Sequence, residues 1–177
     1  MRGEGIEGES THVLVAGTGD SVATPAVTDE CSVLGVTYET DAETWLGRWA
    51  GDVERAAVVS VGERSRSAAS TSASGRPLTA VTGIVETVPD ETDVGTVGSL
   101  VHDYLSAWAD DGETTVFVDD LAAVIDRTST ETAFRFVHAV LSCADATGAR
   151  VVVTLDPDAY PPHVVGTFAE LFDDVRR

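Results

Sequence analysis

A layered α/β domain, with a mainly parallel sheet and helices on both faces, is the fold this sequence predicts. Three observations lead there. Residues Thr114 to Val118 are apolar or β-branched without alternation, the mark of a strand buried on both faces. Arg150–Leu155 (RVVVTL) and Cys31–Tyr38 (CSVLGVTY) read the same way. Between such runs lie stretches whose apolar residues recur at helical spacing, and alternation of the two kinds of element builds a parallel sheet under helices.

In chain order, residues 1–10 are polar and glycine-rich and are expected to form a disordered lead-in to a single domain over residues 11–177. His12 to Ala16 is a short apolar strand, and Cys31–Tyr38 a second. The residues between them leave room for a very short crossover helix, which Pro25 confines to starting near that point. Thr40 and Glu43 have capping-box spacing and open a helix, DAETWLGRWAGD, on which Trp45 and Trp49 share a face. Burial of at least one tryptophan is expected, with a partner surface as the other reading. Ala57–Val61 is a third strand. Residues 64–76, RSRSAASTSASGR, are low in complexity and are expected to be a flexible loop. Pro77–Thr82 is a candidate short strand. Asp93 to Ala109 is a helix with Val94, Val97, Val101, Leu105 and Trp108 on one face.

After the strand that begins at Thr114, Thr128 and Glu131 form a second capping box. They open a helix whose stripe runs through Ala133, Phe134, Phe136, Val137, Val140, Leu141 and Ala144, with Gly148 as a left-handed cap. Arg150–Leu155 follows as a strand. Pro161 starts the last helix, with Val164, Phe168, Leu171 and Phe172 facing inward.

Composition narrows the function. The chain has 177 residues, 30 of them acidic against 11 basic, for a net charge of −19, and every basic residue is Arg. Carboxylates keep a surface hydrated where concentrated salt screens their repulsion. A halophilic, haloarchaeal source is therefore expected. So acidic a chain lacks the basic footprint that backbone-driven nucleic-acid binding requires. The absence of Lys excludes Schiff-base chemistry and a phosphate-gripping lysine. No window reaches the roughly 18 apolar residues of a membrane span, and the opening ten residues lack an apolar core, so a cytoplasmic protein is expected. Cys31 and Cys143 fit no motif and read as reduced thiols.

The candidate site residues are few. Gly17 to Thr24 sits between a strand and its crossover, where a phosphate-cradling loop reads G-x-x-x-x-G-K-[ST]. Gly17, Gly19 and Thr24 are its candidate nucleotide-binding residues, but Val22 and Ala23 stand where the second glycine and the lysine belong. Asp119 and Asp120 end a buried strand, where ligands of open α/β sheets sit, and are candidate metal ligands. Glu39 ends another strand and is a candidate base for a water. Asp156 and Asp158 would join an acidic rim. Each of these also reads plainly as a solvated turn acid in an acidic protein. Arg64, Arg66 and Arg76 would meet a phosphate or an acidic partner if their loop is more than a linker. His12, His102, His138 and His163 show no paired ligand spacing, and no Ser lies in G-x-S-x-G.

The order HVLVAGTGDSVAT, VTYET, TWLGRW, VVSVGERSRSAAS, VFVDDLAAVID, TAFRFVHAVL, VVVTLDPDAY resembles a haloarchaeal domain family of unknown function, itself similar to RecA- and KaiC-type ATPases, over roughly residues 10–175. That resemblance implies a RecA/KaiC-like fold, with Asp119 at the magnesium-holding strand aspartate and Glu39 at the first of two catalytic carboxylates. Thr40 stands at the second, and Ala23 in place of the nucleotide-binding lysine. The expected function is thus a non-catalytic, regulatory or signalling domain working through protein contacts, with no cofactor, a protein partner of unknown identity and a possible homo-oligomer. The alternative is a divergent ATP-binding protein or weak ATPase using ATP and Mg, with Glu39 and Asp119 catalytic and an Arg, from Arg64 or Arg66, replacing the lysine.

Overall fold

The computed structural model describes residues 12–17, 31–49, 53–62 and 83–177. Among these residues seven strands form one sheet: β1 (Val13–Ala16), β2 (Ser32–Thr37), β3 (Arg55–Val61), β4 (Gly83–Val88), β5 (Thr114–Asp119), β6 (Arg150–Leu155) and β7 (Asp174–Arg176). The helices are α1 (Ala42–Gly47), α2 (Val94–Trp108), α3 (Leu121–Arg127), α4 (Thr130–Thr147) and α5 (Pro162–Ala169). Strand order is β4-β3-β2-β5-β6-β1-β7, and every pairing is parallel.

Parallel pairing explains the unalternated runs, because both faces of each central strand are covered. Along β2, Leu34 and Val36 join Val59, Val116, Val118 and Val153 under α2, α3 and α4, together with Phe168 of α5. The intervening Val33 joins Val15, Val58, Phe117 and Val152 on the other face, with Trp45 and Leu46 of α1. The division follows from handedness. Crossovers between parallel strands are right-handed, so the β2–β3 step in one direction along the sheet carries α1 on one face. The β4–β5, β5–β6 and β6–β7 steps in the other direction carry α2, α3 with α4, and α5 on the opposite face.

Both tryptophans are buried, and with Phe117 they form a tilted aromatic cluster, the Trp49 and Phe117 centroids 4.9 Å apart. The Trp45 ring lies so close to β2 that a Cβ on Gly35 would fall 2.5 Å from it. Glycine is required there by close approach.

Several boundaries differ from expectation, each for a local reason. The α1 cap is Asp41, whose carboxylate accepts from the Thr44 N–H at 2.9 Å, and not Thr40, which lies one residue outside the helix. The α4 cap is Ser129, accepting from the Thr132 N–H at 3.1 Å, and not Thr128. Thr128 instead closes α3, its hydroxyl donating to Val124 O at 2.7 Å. In both places two capping residues stand side by side, and spacing alone selects the wrong one. Helix α1 also ends earlier than expected, at Gly47. Strand β4 starts at Gly83, just beyond the expected Pro77–Thr82, which lies outside the described residues. Residues 1–10 and the 64–76 loop lie outside them too. In the last helix Phe168 is fully buried and Val164 only half-buried; Leu171 and Phe172, expected on its inward face, lie beyond its end at Ala169, Phe172 buried and Leu171 half-buried. The cap at Gly148 is left-handed as expected, with φ 73°.

At the amino ends of the strands, polar groups form a closed clasp. His12 is buried. Its Nδ1 accepts from the Val151 N–H at 3.1 Å, so Nε2 carries the hydrogen and donates to Asp145 Oδ1 at 2.7 Å. Its backbone N–H donates to Asp173 Oδ2 at 2.8 Å. One side chain thereby ties β1 to β6 and to α4, and its backbone holds the entry of β7. At the same end of the sheet, separated from β1 by β2, β5 and β6, Arg55 at the start of β3 donates to Ser32 Oγ, pairs with Asp111 and lies 5.0 Å over the Trp108 ring.

Candidate functional site

In an open parallel sheet the crevice forms where two adjacent strands send their connections in opposite directions. Here β2 leads away towards β3 and its neighbour β5 leads away towards β6, so the switch point lies between them. Tyr38, Glu39 and Thr40 follow β2; Asp119 ends β5 and Asp120 follows it.

Strand periodicity sets the floor of this crevice. Thr37 pairs in register with Ser60 of β3 and with Asp119 of β5, and Val118 pairs with Val153, which puts Asp119 beside Thr154. Residues in register share a face. Ser60, Thr37, Asp119 and Thr154 therefore form a polar row across four strands, on the face that carries Phe117 and α1. Asp119 is its acceptor. Thr40 Oγ1 donates to Oδ2 at 2.6 Å, and Thr154 Oγ1 lies 3.4 Å from Oδ1 while accepting from the Asp120 N–H at 2.9 Å. Thr37 Oγ1 is wholly buried and has no hydrogen-bond partner among the described residues.

Asp120 has φ 74°, the one non-glycine residue with positive φ among those described, a region that favours Gly, Asn and Asp. The turn aims its Oδ1 at the Ala122 N–H, 3.0 Å away, which caps α3. Burial holds the Asp120 carboxyl above its usual range, and the charges of Asp119 and Glu39 add to this, against the lowering effect of the Ala122 donation.

Arg127, at the end of α3, reaches the residues that follow β2. It donates to Asp90 Oδ1 at 2.9 Å, and to Glu39 Oε1 and Ala123 O at 3.3 Å each, with its guanidinium 5.2 Å over the Tyr38 ring. The Tyr38 hydroxyl is buried without a partner among the described residues, and burial pushes its pKa up to about 12.

The expected residues fare differently. Asp119 and Glu39 do come to one crevice, yet each is engaged within the chain. Asp119 and Asp120 have separate partners, and among the described residues no group of three or more His, Cys, Asp or Glu is arranged to hold a metal ion. Gly17 is in place, its N–H donating to Leu155 O at 3.1 Å. Gly19, Val22, Ala23, Thr24, Arg64, Arg66 and Arg76 lie outside the described residues. Asp156 accepts from the Asp158 N–H at 2.9 Å within its own turn. Cys31 Sγ donates to Glu113 Oε2 at 3.5 Å, and Cys143 is a free thiol lying 3.0 Å from His102 Nδ1 between α2 and α4. Sequence reasoning missed Thr37, Thr154, Arg127 and Asp90, and took Thr40 for a helix cap. A period-of-two count along β2 from Val33 would have flagged Thr37 as a hydroxyl in an apolar row.

Fold and crevice define the class: a parallel α/β domain with a carboxylate held among hydroxyls at its switch point, and no helix among the described residues long and apolar enough to cross a membrane. Residues 10–176 match the family of unknown function DUF7504, and the chain belongs to that family. No curated protein matches it.

Proposed function

We propose that this chain is a non-catalytic RecA/KaiC-like domain, regulatory or signalling in role, that acts through contacts with other proteins. One observation carries the reading: the two carboxylates an ATPase of this layout would keep open are already occupied. Asp119 accepts from Thr40 and Thr154, and Glu39 is paired with Arg127. A magnesium ion at Asp119 would have to share the carboxylate with the 2.6 Å Thr40 contact, and the sequence supplies no lysine for the phosphates beyond it. The acidic, lysine-free composition supports a haloarchaeal protein working in concentrated salt.

Calorimetric titration of the chain with ATP and magnesium in molar KCl tests the reading, and no heat of binding is expected. Micromolar binding, or ATP turnover that an Asp119→Ala variant abolishes, overturns it in favour of a divergent ATPase. That second reading is favoured by Arg127, a guanidinium already at the crevice that could exchange Glu39 for a phosphate oxygen. Glu39→Gln would then raise ATP affinity, which the first reading does not expect.

A further inference from the structure

Among the described residues the exposed large apolar side chains are Ile84, 44% exposed, and Val85, 40% exposed, and they are neighbours. Both lie in β4, the outermost strand, which is paired with β3 on one side only among the described residues. Successive strand residues point to opposite faces, so the two make no patch on either face. What they share is the edge of the sheet.

The opposite edge is built otherwise. Strand β7 has three residues, Asp174–Arg176, flanked by Asp173 and Arg177. Short, charged edges resist strand addition. Strand β4 has six residues, GIVETV, without Pro, Lys or Arg. Its one charge, Glu86, accepts from the Tyr104 hydroxyl at 2.9 Å and is thereby held against α2.

An occupant that covers Ile84 and Val85 together must lie alongside the strand in the plane of the sheet, with side chains on both faces, which is the geometry of strand addition. We propose that the occupant is β4 of a second copy of this chain, paired antiparallel about a two-fold axis perpendicular to the sheet. Such an axis keeps each face continuous, so residues pair only with others of the same face. Centring the pair on Glu86 would oppose two carboxylates, which is unfavourable. Centring it on Ile84 places Gly83 against Val85 and leaves the rest of the strand unused. Centring it on Val85 opposes the two valines, sets Ile84 beside the copy's Glu86, whose charge Tyr104 already engages, and pairs residues 83–87.

Charge selects the same mode. Each copy carries −19 and repels its twin over most of its surface, whereas this edge offers backbone amides and neutral side chains. The screening length falls to about 3 Å at 1 M salt, so pairing strengthens as salt rises. The inference supplies a partner for the protein-contact reading above and rests on it in that sense alone.

Sedimentation velocity of the full chain in dilute and in molar KCl tests it, alongside Val85→Lys, which opposes two ammonium groups at the axis, and Val85→Thr, which keeps a branched, strand-favouring residue. The wild type is expected to be a dimer in molar KCl that dissociates as salt falls. Val85→Lys is expected to be monomeric and still to unfold cooperatively, and Val85→Thr to be a weaker dimer should the lysine variant not fold. A wild type that is monomeric at every salt concentration overturns the proposal, including one that instead captures an added strand-forming peptide or whose β4 amides resist hydrogen exchange. Variants that dimerise as tightly as the wild type also overturn it. The readout contains no nucleotide, so failure here leaves the ATP titration to be decided on its own result.

Discussion

At the amino ends of the strands His12 has a partner on each ring nitrogen and on its backbone N–H. At the carboxyl ends Thr37 and Tyr38 bury oxygens that have no partner among the described residues, and Asp120 holds a left-handed backbone. Buried polar groups are costly unless paired. The His12 clasp meets that requirement and behaves as a bolt. The carboxyl end falls short of it at the crevice where open parallel sheets bind their ligands. Local inconsistency of this kind concentrates at functional sites, so the contrast teaches where to look on this chain: at the row around Asp119.

The contrast can be broken at three points. The largest effect is expected from His12→Ala. The change orphans the buried Val151 N–H, frees Asp145 and leaves a cavity, and should cost about 3 kcal/mol, read by urea denaturation in molar KCl. A loss as small as that of an exposed ion pair would mean the clasp is no bolt. Next, Thr37→Val removes an unpaired hydroxyl while keeping the shape, and should stabilise the fold by about 1 kcal/mol. Destabilisation instead would show that Thr37 has a partner the crevice supplies.

The smallest effect is pH-dependent. A carboxyl with a raised folded-state pKa favours folding while protonated, and that contribution is lost as pH rises through its folded value. Asp120→Asn keeps a capping oxygen and suits the left-handed backbone. It should therefore raise the melting temperature slightly at neutral pH, and the gain should vanish below the ordinary Asp pKa of about 3.9. A gain independent of pH would trace to the backbone alone.

Much of the fold was legible because parallel strands announce themselves. VFVDD, RVVVTL and the CSVLGVTY run carry no alternation, and Gly148 ended α4 as expected. Strand β4 was missed because GIVETV is an edge strand, half-exposed, with too weak a pattern to stand out after a Ser-rich stretch. The site was only half legible. Asp119 and Glu39 were visible because each ends an apolar run. The His12 clasp was not, because its partners lie at Asp145, Val151 and Asp173, far along the chain at no characteristic spacing. Thr40 misled because a hydroxyl three residues before a glutamate looks like a cap whether it bonds its own helix or a carboxylate on β5.

The placement of β1 has a consequence for how the chain is made. It lies between β6 and β7, so Val13 pairs with Val152 on one side and Asp174 on the other. The earliest of the seven strands to be synthesised has no partner until the latest two are. Its apolar residues must wait until β6 and β7 have been made, and non-local pairing of this kind is slow and prone to aggregation. Ribosome-stalled chains ending before Arg150 should accordingly leave residues 13–16 open to protease, with protection arriving only as β6 emerges.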